Sequence, residues 1–131
     1  MTYTTEIADW ETAGASSNVK NLIWFVAKDG DKVVARAGLR ETAKFLKEGE
    51  IQFYRIFVDP EYRGEGLWNL LIDARLEYAR QKNATAILVL CEDHEFPITS
   101  ILLNKGFVEI GKQGKGDRLT LVKLDLNASE G

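Results

Sequence analysis

Between Leu22 and Leu126 the spacing of apolar residues changes several times, and each change marks an element. Leu22 to Ala27 and Lys32 to Leu39 are strand-like and flank KDGDK, whose Asp29 and Gly30 form a hairpin-turn dipeptide. Glu41 to Glu50, ETAKFLKEGE, is a polar excursion with room for a helical turn. Ile51 to Val58, IQFYRIFV, carries Ile51, Phe53 and Phe57 on one parity and Tyr54, Ile56 and Val58 on the other, which predicts a central strand apolar on both faces. Asp59 and Pro60 end it, because proline has no amide hydrogen to give the ladder. From Gly66 to Lys82 the offsets become three and four. Leu67, Leu70, Leu71, Ala74 and Tyr78 then line one helical stripe. Arg80 and Lys82 suit the carbonyl end of that helix, and Asn83 suits a left-handed cap.

Ala86 to Cys91, AILVLC, follows as a second strand apolar on both faces, so strand, helix and strand predict a right-handed parallel crossover. Pro97 is expected to open a short helix that SILLN continues and Gly106 closes. Phe107 to Lys112 and Arg118 to Leu126 read as two strands around QGKGD. Ahead of the hairpin, Tyr3 to Ile7 reads as an edge strand and Ala13 to Asn18 as a loop. The fold class expected is a mixed-sheet α/β (α+β) arrangement with antiparallel N-terminal strands, a central β-α-β crossover and a C-terminal helix and hairpin.

Composition narrows the function classes. With 131 residues, 45% of them hydrophobic and 28% charged, the expectation is one packed domain over residues 1–131, with 1–20 poorly defined and 127–131 a mobile tail. Seventeen Lys and Arg against 20 Asp and Glu leave a net charge of −3, which does not advertise a nucleic-acid or anionic-membrane surface. Cys91 is the one cysteine, so no internal disulfide can form, and one cysteine with His94 is too few for a zinc site. The N-terminal MTYTTEIADW has neither a basic nor an apolar leader region, and no apolar run approaches the ~20 residues of a membrane helix; a cytoplasmic protein is expected.

The chemistry concentrates in VDPEYRGEGLWNLL, Val58 to Leu71, where an apolar strand ends, two glycines follow at spacing two, and a helix starts at once. Glycines let backbone approach a ligand closely, and a helix N-terminus offers unpaired N–H groups and a positive dipole end. Such a turn is a pyrophosphate cradle, with Arg63 at its mouth able to add a charge-assisted bond. It is not a dinucleotide fingerprint, since Asn69 stands where the third small residue belongs, nor a P-loop, which needs Gly, Lys and Ser or Thr together. In the later GKQGKGDR, Asp117 and Arg118 replace the lysine and hydroxyl, so it reads as a hairpin loop.

RGEGLW, Arg63 to Trp68, after FVDPEY, together with LLNKGFVEIG, Leu102 to Gly111, resembles the GNAT superfamily of acyl-CoA-dependent N-acetyltransferases over roughly residues 21 to 126. The resemblance implies a parallel pair that splays apart and acetyl-CoA as acyl donor; the Cys and His count leaves no metal expected. Its pantetheine arm would pair with Ile56, Phe57 and Val58, and its pyrophosphate would rest on Arg63, Gly64, Glu65, Gly66, Leu67 and Trp68. Trp68 departs from the family's Gly or Ala; its indole is expected to point away and pack in the core or under the adenine. EIQF, thirteen positions ahead of Arg63, resembles the strand start of the histone-acetyltransferase-like branch and implies Glu50 as base, with the Tyr54 amide facing the acetyl oxygen. Leu102 stands where many relatives carry a tyrosine that protonates the departing sulfur; Tyr54, Cys91 and His94 are the other candidates for that role.

The function implied is acetyl transfer to an amine on a small molecule or protein side chain, for which the acidic balance favours a cationic acceptor. Family members commonly wall the acceptor cleft with helices ahead of the hairpin, for which Met1 to Lys20 has little room. The rival is a GNAT-like CoA-binding or protein-interaction module without catalysis. Exposed strand edges and three tryptophans are compatible with a homodimer.

Overall fold

The computed structural model describes residues 2–14, 22–92 and 98–126. Its strands are β1 (Thr4–Ala8), β2 (Leu22–Asp29), β3 (Lys32–Arg40), β4 (Glu50–Val58), β5 (Ala86–Cys91), β6 (Val108–Gln113) and β7 (Leu119–Asp125). The helices are α1 (Trp10–Ala13), α2 (Leu67–Gln81) and α3 (Ile98–Asn104). Among the described residues the strands form one sheet in the order β1-β2-β3-β4-β5-β7-β6, antiparallel throughout except for the central β4–β5 pair. This is the mixed α/β architecture that the spacing predicts. No helix among the described residues is long and apolar enough to cross a membrane. Residues 15–18 of the expected loop, Pro97 as helix opener, His94 and the tail Asn127 to Gly131 lie outside the described residues.

Local chemistry accounts for the element ends. Asp29 pairs with Lys32, so the hairpin turn is Gly30–Asp31, one residue later than expected. Gly30 has φ 62°, which a glycine at the first turn position accommodates without a Cβ penalty. Asn83 takes the expected left-handed conformation, φ 57°, after the last turn of α2. Helix α1 was not expected, and Ala13 belongs to it rather than opening a loop. Its signal is DWETAG: the Asp9 side chain accepts from the Thr12 amide at 2.7 Å, and Gly14 closes the turn at φ 72°.

The main core lies on the sheet face bearing Phe25, Leu39 and Phe53, under α2 and α3. A smaller cluster of Ala13, Trp24 and Val26 occupies the opposite face, beneath α1. The α2 stripe is rotated from the one expected: Leu67, Leu71, Ile72, Arg75, Leu76 and Ala79 are buried, while Leu70, Ala74 and Tyr78 pack at its border. Nor are the central strands buried on both faces throughout. Burial of β4 fails from Tyr54 to Phe57 and returns at Val58, and Leu90 of β5 is exposed, because the two strands pair only from Glu50–Ala86 to Phe53–Val89.

Arg75 was hidden from a hydrophobic count and yet is only 3% exposed. Its Nε donates to the Leu71 carbonyl at 3.2 Å and its Nη1 to the Gly38 carbonyl at 3.1 Å, while the guanidinium stacks 4.3 Å from the centre of Phe53. Desolvation lowers its pKa to about 9, which still leaves it charged at neutral pH. The carbonyl it reaches sits where the β3–β4 ladder shifts register, between Ala37 and Gly38. Arg75 therefore pins helix to sheet at an irregularity. Arg75→Ala is expected to cost about 2–4 kcal/mol in urea unfolding, from lost packing and an unpaired carbonyl. Arg75→Met should recover only part of that, and a Met variant as stable as the wild type would show that the two hydrogen bonds contribute nothing.

Candidate active site

The parting of β4 from β5 opens the sheet at its centre. Past Phe53 the β4 chain bulges: Gly38 pairs with Tyr54 and Ala37 with Ile56, which skips Arg55, held at φ 43°. A cavity of about 750 Å³ fills the gap. Trp24, Gln52, Tyr54 and Phe57 line it from the face opposite α2. Phe53, Trp68, Ile72, Arg75, Cys91 and Leu102 line it from the α2 side. The cleft thus passes between the strands from one face of the sheet to the other.

At the C-terminal end of β4, Pro60–Tyr62 makes one 3-10 turn, and the chain then swings through Gly64 at φ 84° and Gly66 at φ 81° into α2. A Cβ at either glycine would meet no atom within 4 Å, so the left-handed backbone, not crowding, is what requires glycine there. No side chain caps α2, whose first intrahelical bond runs from the Leu70 amide to the Gly66 carbonyl at 3.1 Å. The turn is tied down from outside. Tyr62 donates its hydroxyl to Asp29 Oδ2 at 3.0 Å, and Tyr3 donates to Glu65 Oε1 at 3.3 Å. Asp29 as acceptor raises the Tyr62 pKa, with lesser desolvation. Arg63 Nε donates to the Val58 carbonyl at 3.2 Å, fixing the side chain against the strand end.

Of the residues singled out in the sequence, Tyr54, Ile56, Phe57 and Trp68 line the cavity. Trp68 is half-buried against the main core and forms part of the cleft wall. Val58 and Leu67 are buried in that core, whereas Arg63, Gly64, Glu65 and Gly66 are exposed at the turn. Glu50 shares the sheet face of Gln52 and Tyr54 but does not line the cavity. Its Oε1 accepts from the Lys47 amide at 2.9 Å, and its Oε2 lies 3.5 Å from Lys123 Nζ. Leu102 and Cys91 are buried and border the cleft from the α2 side.

Sequence reasoning passed over the other face of the cleft. Glu92, just past β5, lines the cavity and pairs with Arg118 at 3.1 Å, which brings the GKQGKGDR loop to the cleft mouth. Gln52 and Trp24 line it as well, both buried. Arg36 and Arg55 also do so, and Arg40 stacks 4.5 Å from the ring centre of Tyr54. The signal available was strand register: once β2, β3 and β4 pair, Trp24, Gly38 and Tyr54 fall in one row.

A family model described as Acetyltransferase (GNAT) family matches residues 2–97. Human N-acetyltransferase 8 is 25% identical over 113 residues, which cover 86% of this chain and 49% of that protein; human N-acetyltransferase 8B is 26% identical over 90 residues, 68% and 40%. The chain spans less than half the length of these curated relatives. Among solved structures, the Staphylococcus aureus N-acetyltransferase superposes with TM-score 0.76 at 15% identity, covering 96% of this chain and 99% of that one. The Escherichia coli ribosomal-protein-S18-alanine N-acetyltransferase gives 0.75 at 13%, covering 95% and 94%. A Bacillus subtilis acetyltransferase in complex with CoA gives 0.73 at 14%, covering 95% and 99%. At such identities the likeness is one of fold.

Gly66→Ala is expected to cost about 1–2 kcal/mol, the penalty of a Cβ in left-handed backbone. Gly111→Ala, with open space around it and no positive φ, serves as the control and should be neutral or slightly stabilising. Urea melts of both variants check this; a Gly66→Ala protein as stable as the wild type would mean that the turn relaxes freely.

Proposed function

The chain belongs to the GNAT acetyltransferase family, and on that footing we propose that it transfers an acetyl group from acetyl-CoA to an amine bound in the central cleft. The observation that carries the reading is the run of β4 beyond Phe53 that β5 leaves unpaired, bordering a cavity whose far end meets an uncapped 15-residue helix. A pantetheine arm carries amide groups of its own and would lie along Ile56 to Val58 as a strand is added to a sheet edge. Its diphosphate would sit on the turn Arg63 to Trp68, where the first-turn amides and the helix dipole favour an anion. The indole of Trp68 forms wall for the arm rather than floor for the phosphate.

With the thioester at the Tyr54 end of the gap, an amine from the opposite face attacks the carbonyl carbon. The C–N bond forms, the C–S bond breaks, and CoA departs as thiolate. The amine must first shed the proton of its ammonium form, then a second as the amide forms; one neutralises the thiolate and the other goes to a base. Among the described residues Glu92 is the carboxylate that lines the cleft and is the proposed acceptor, held in place by Arg118 at 3.1 Å; Glu50, implied by the sequence resemblance, lies beyond the lining, bound by the Lys47 amide and Lys123. Leu102 offers no proton to sulfur, but a thiol of pKa ~8.5 can leave unassisted, only more slowly. That residue also favours the second reading, a CoA-binding module without turnover.

Acetyl-CoA at a hundredfold excess over its Kd should add about 2.7 kcal/mol, raising the Tm by several degrees. No shift at millimolar acetyl-CoA would remove both readings. Thiol release across an amine panel then separates enzyme from module. Glu92→Gln should cut turnover about a hundredfold or more with the Tm shift retained. Glu50→Gln should chiefly lower stability, by about 1–2 kcal/mol. The reverse pattern would return the role of base to Glu50.

A further inference from the structure

Three arginines gather on the face of the cleft away from α2. Arg36 stacks 4.7 Å from the ring centre of Phe57, and Arg40 and Arg55 lie 4.5 and 5.2 Å from that of Tyr54. Arg36 and Arg55 line the cavity, and Arg40 is held on the ring of a residue that does. None of the three has a carboxylate partner among the described residues. Arg63, Arg75 and Arg118, by contrast, each give N–H groups to a carbonyl or carboxylate. Aromatic faces orient a guanidinium without consuming its N–H donors, which stay available to an anion.

The same wall holds two buried polar atoms without a hydrogen-bond partner among the described residues. Trp24 Nε1 is a donor on a residue 5% exposed, and Gln52 Oε1 an acceptor on a residue 8% exposed. Both residues line the cavity. Each unmet group costs about 1–3 kcal/mol, which a ligand can return by supplying the complement. The indole N–H and the guanidinium groups ask for an anionic oxygen; the amide oxygen asks for an N–H. A carboxylate beside an amine meets both demands in one small group. Phe57, Leu90 and Leu119 leave the rest of this wall apolar.

Resting on the acyl-transfer reading above, we infer that the acceptor is an α-amino acid or a conjugate of one, with its carboxylate on Arg36, Arg55 and Trp24, its amine on Gln52, and an apolar body. The donor's diphosphate does not compete for these arginines, because its turn leads into α2 on the other side of the sheet. The inference reverses the cationic acceptor that the net charge of −3 favours.

The test compares L-leucine and L-phenylalanine with their amides as acceptors, following thiol release from acetyl-CoA. The free acids should exceed the amides at least tenfold in kcat/KM. The double variant Arg36→Gln/Arg55→Gln should bring that ratio near one through KM, while the acetyl-CoA-induced rise in Tm persists. Trp24→Phe, which keeps the ring and loses the N–H, should raise KM for the acids alone. Amides that match or outrun the acids, or a ratio untouched by the arginine variants, would overturn the carboxylate site with acyl transfer intact. Should no amine release thiol, calorimetric titration with N-acetyl-L-phenylalanine and its amide decides separately. Arginine-dependent binding of the acid supports the site, and equal binding of both compounds sinks it.

Discussion

Everything distinctive in this structure follows from one refusal: β4 and β5 do not stay paired. Four register positions, Glu50–Ala86 to Phe53–Val89, hold them together, and then the ladder stops in the middle of the sheet. Unpaired backbone groups inside a protein are costly unless something else meets them. Two devices keep the gap open. On one side Arg55, in the left-handed region at φ 43°, throws β4 out of the straight path it would otherwise share with β5. A non-glycine residue in that conformation costs about 1–2 kcal/mol, so it persists only where the surroundings impose it. On the α2 face Arg75 reaches from the helix to the Gly38 carbonyl where the β3–β4 register breaks. A buried guanidinium is an expensive way to hold a carbonyl, and its use here marks where regular pairing fails.

Gly38 shows how closely the bulge and the cleft are joined. A Cβ there would stand 2.8 Å from the Tyr54 carbonyl oxygen and 3.5 Å from the Trp24 ring. The missing side chain lets β3 approach β4 at the bulge and leaves the indole room beside it. The phosphate-type turn is coupled to the sheet in the same spirit. Tyr62 grips Asp29 at the end of β2, so the β2–β3 hairpin, remote in sequence, fixes the approach to α2. The two glycines supply the bend and the two tyrosines its position.

How much of this was legible in the sequence depends on whether a feature is local. The Asp-Gly turn, the helix from Gly66, the Asn83 cap and the closing strands announce themselves through spacing and turn chemistry within a few residues. Their ends fall within one or two positions of the expected ones. The RGEGLW motif is local too, and it led to the right family. What escaped was non-local. Burial of both faces of β4 was inferred from IQFYRIFV alone, although whether a face is covered depends on how far β5 follows it. Arg75 counted as a polar residue on a helix; nothing in its neighbourhood says that an irregular carbonyl waits 37 positions upstream. Trp24, Gln52 and the stacked arginines are likewise brought together by register across β2, β3 and β4, which no single segment contains.

Charge makes the same distinction with more consequence. A net value of −3 averages over the whole surface, and it speaks to solubility and long-range encounter. A ligand inside a cleft meets something else, because salt screens charges more than ~8 Å apart at physiological ionic strength. Within that range the face opposite α2 offers guanidinium groups held on aromatic rings, an indole N–H and an amide oxygen. The carboxylate of Glu92 is already matched by Arg118. An acidic protein can therefore present a cationic wall, since three guanidinium groups on adjacent strands meet no carboxylate partner among the described residues while the surplus of carboxylates is spread over the rest of the surface. The proposed acceptor takes its sign from the charges that the sheet register brings together, not from the net charge of the chain.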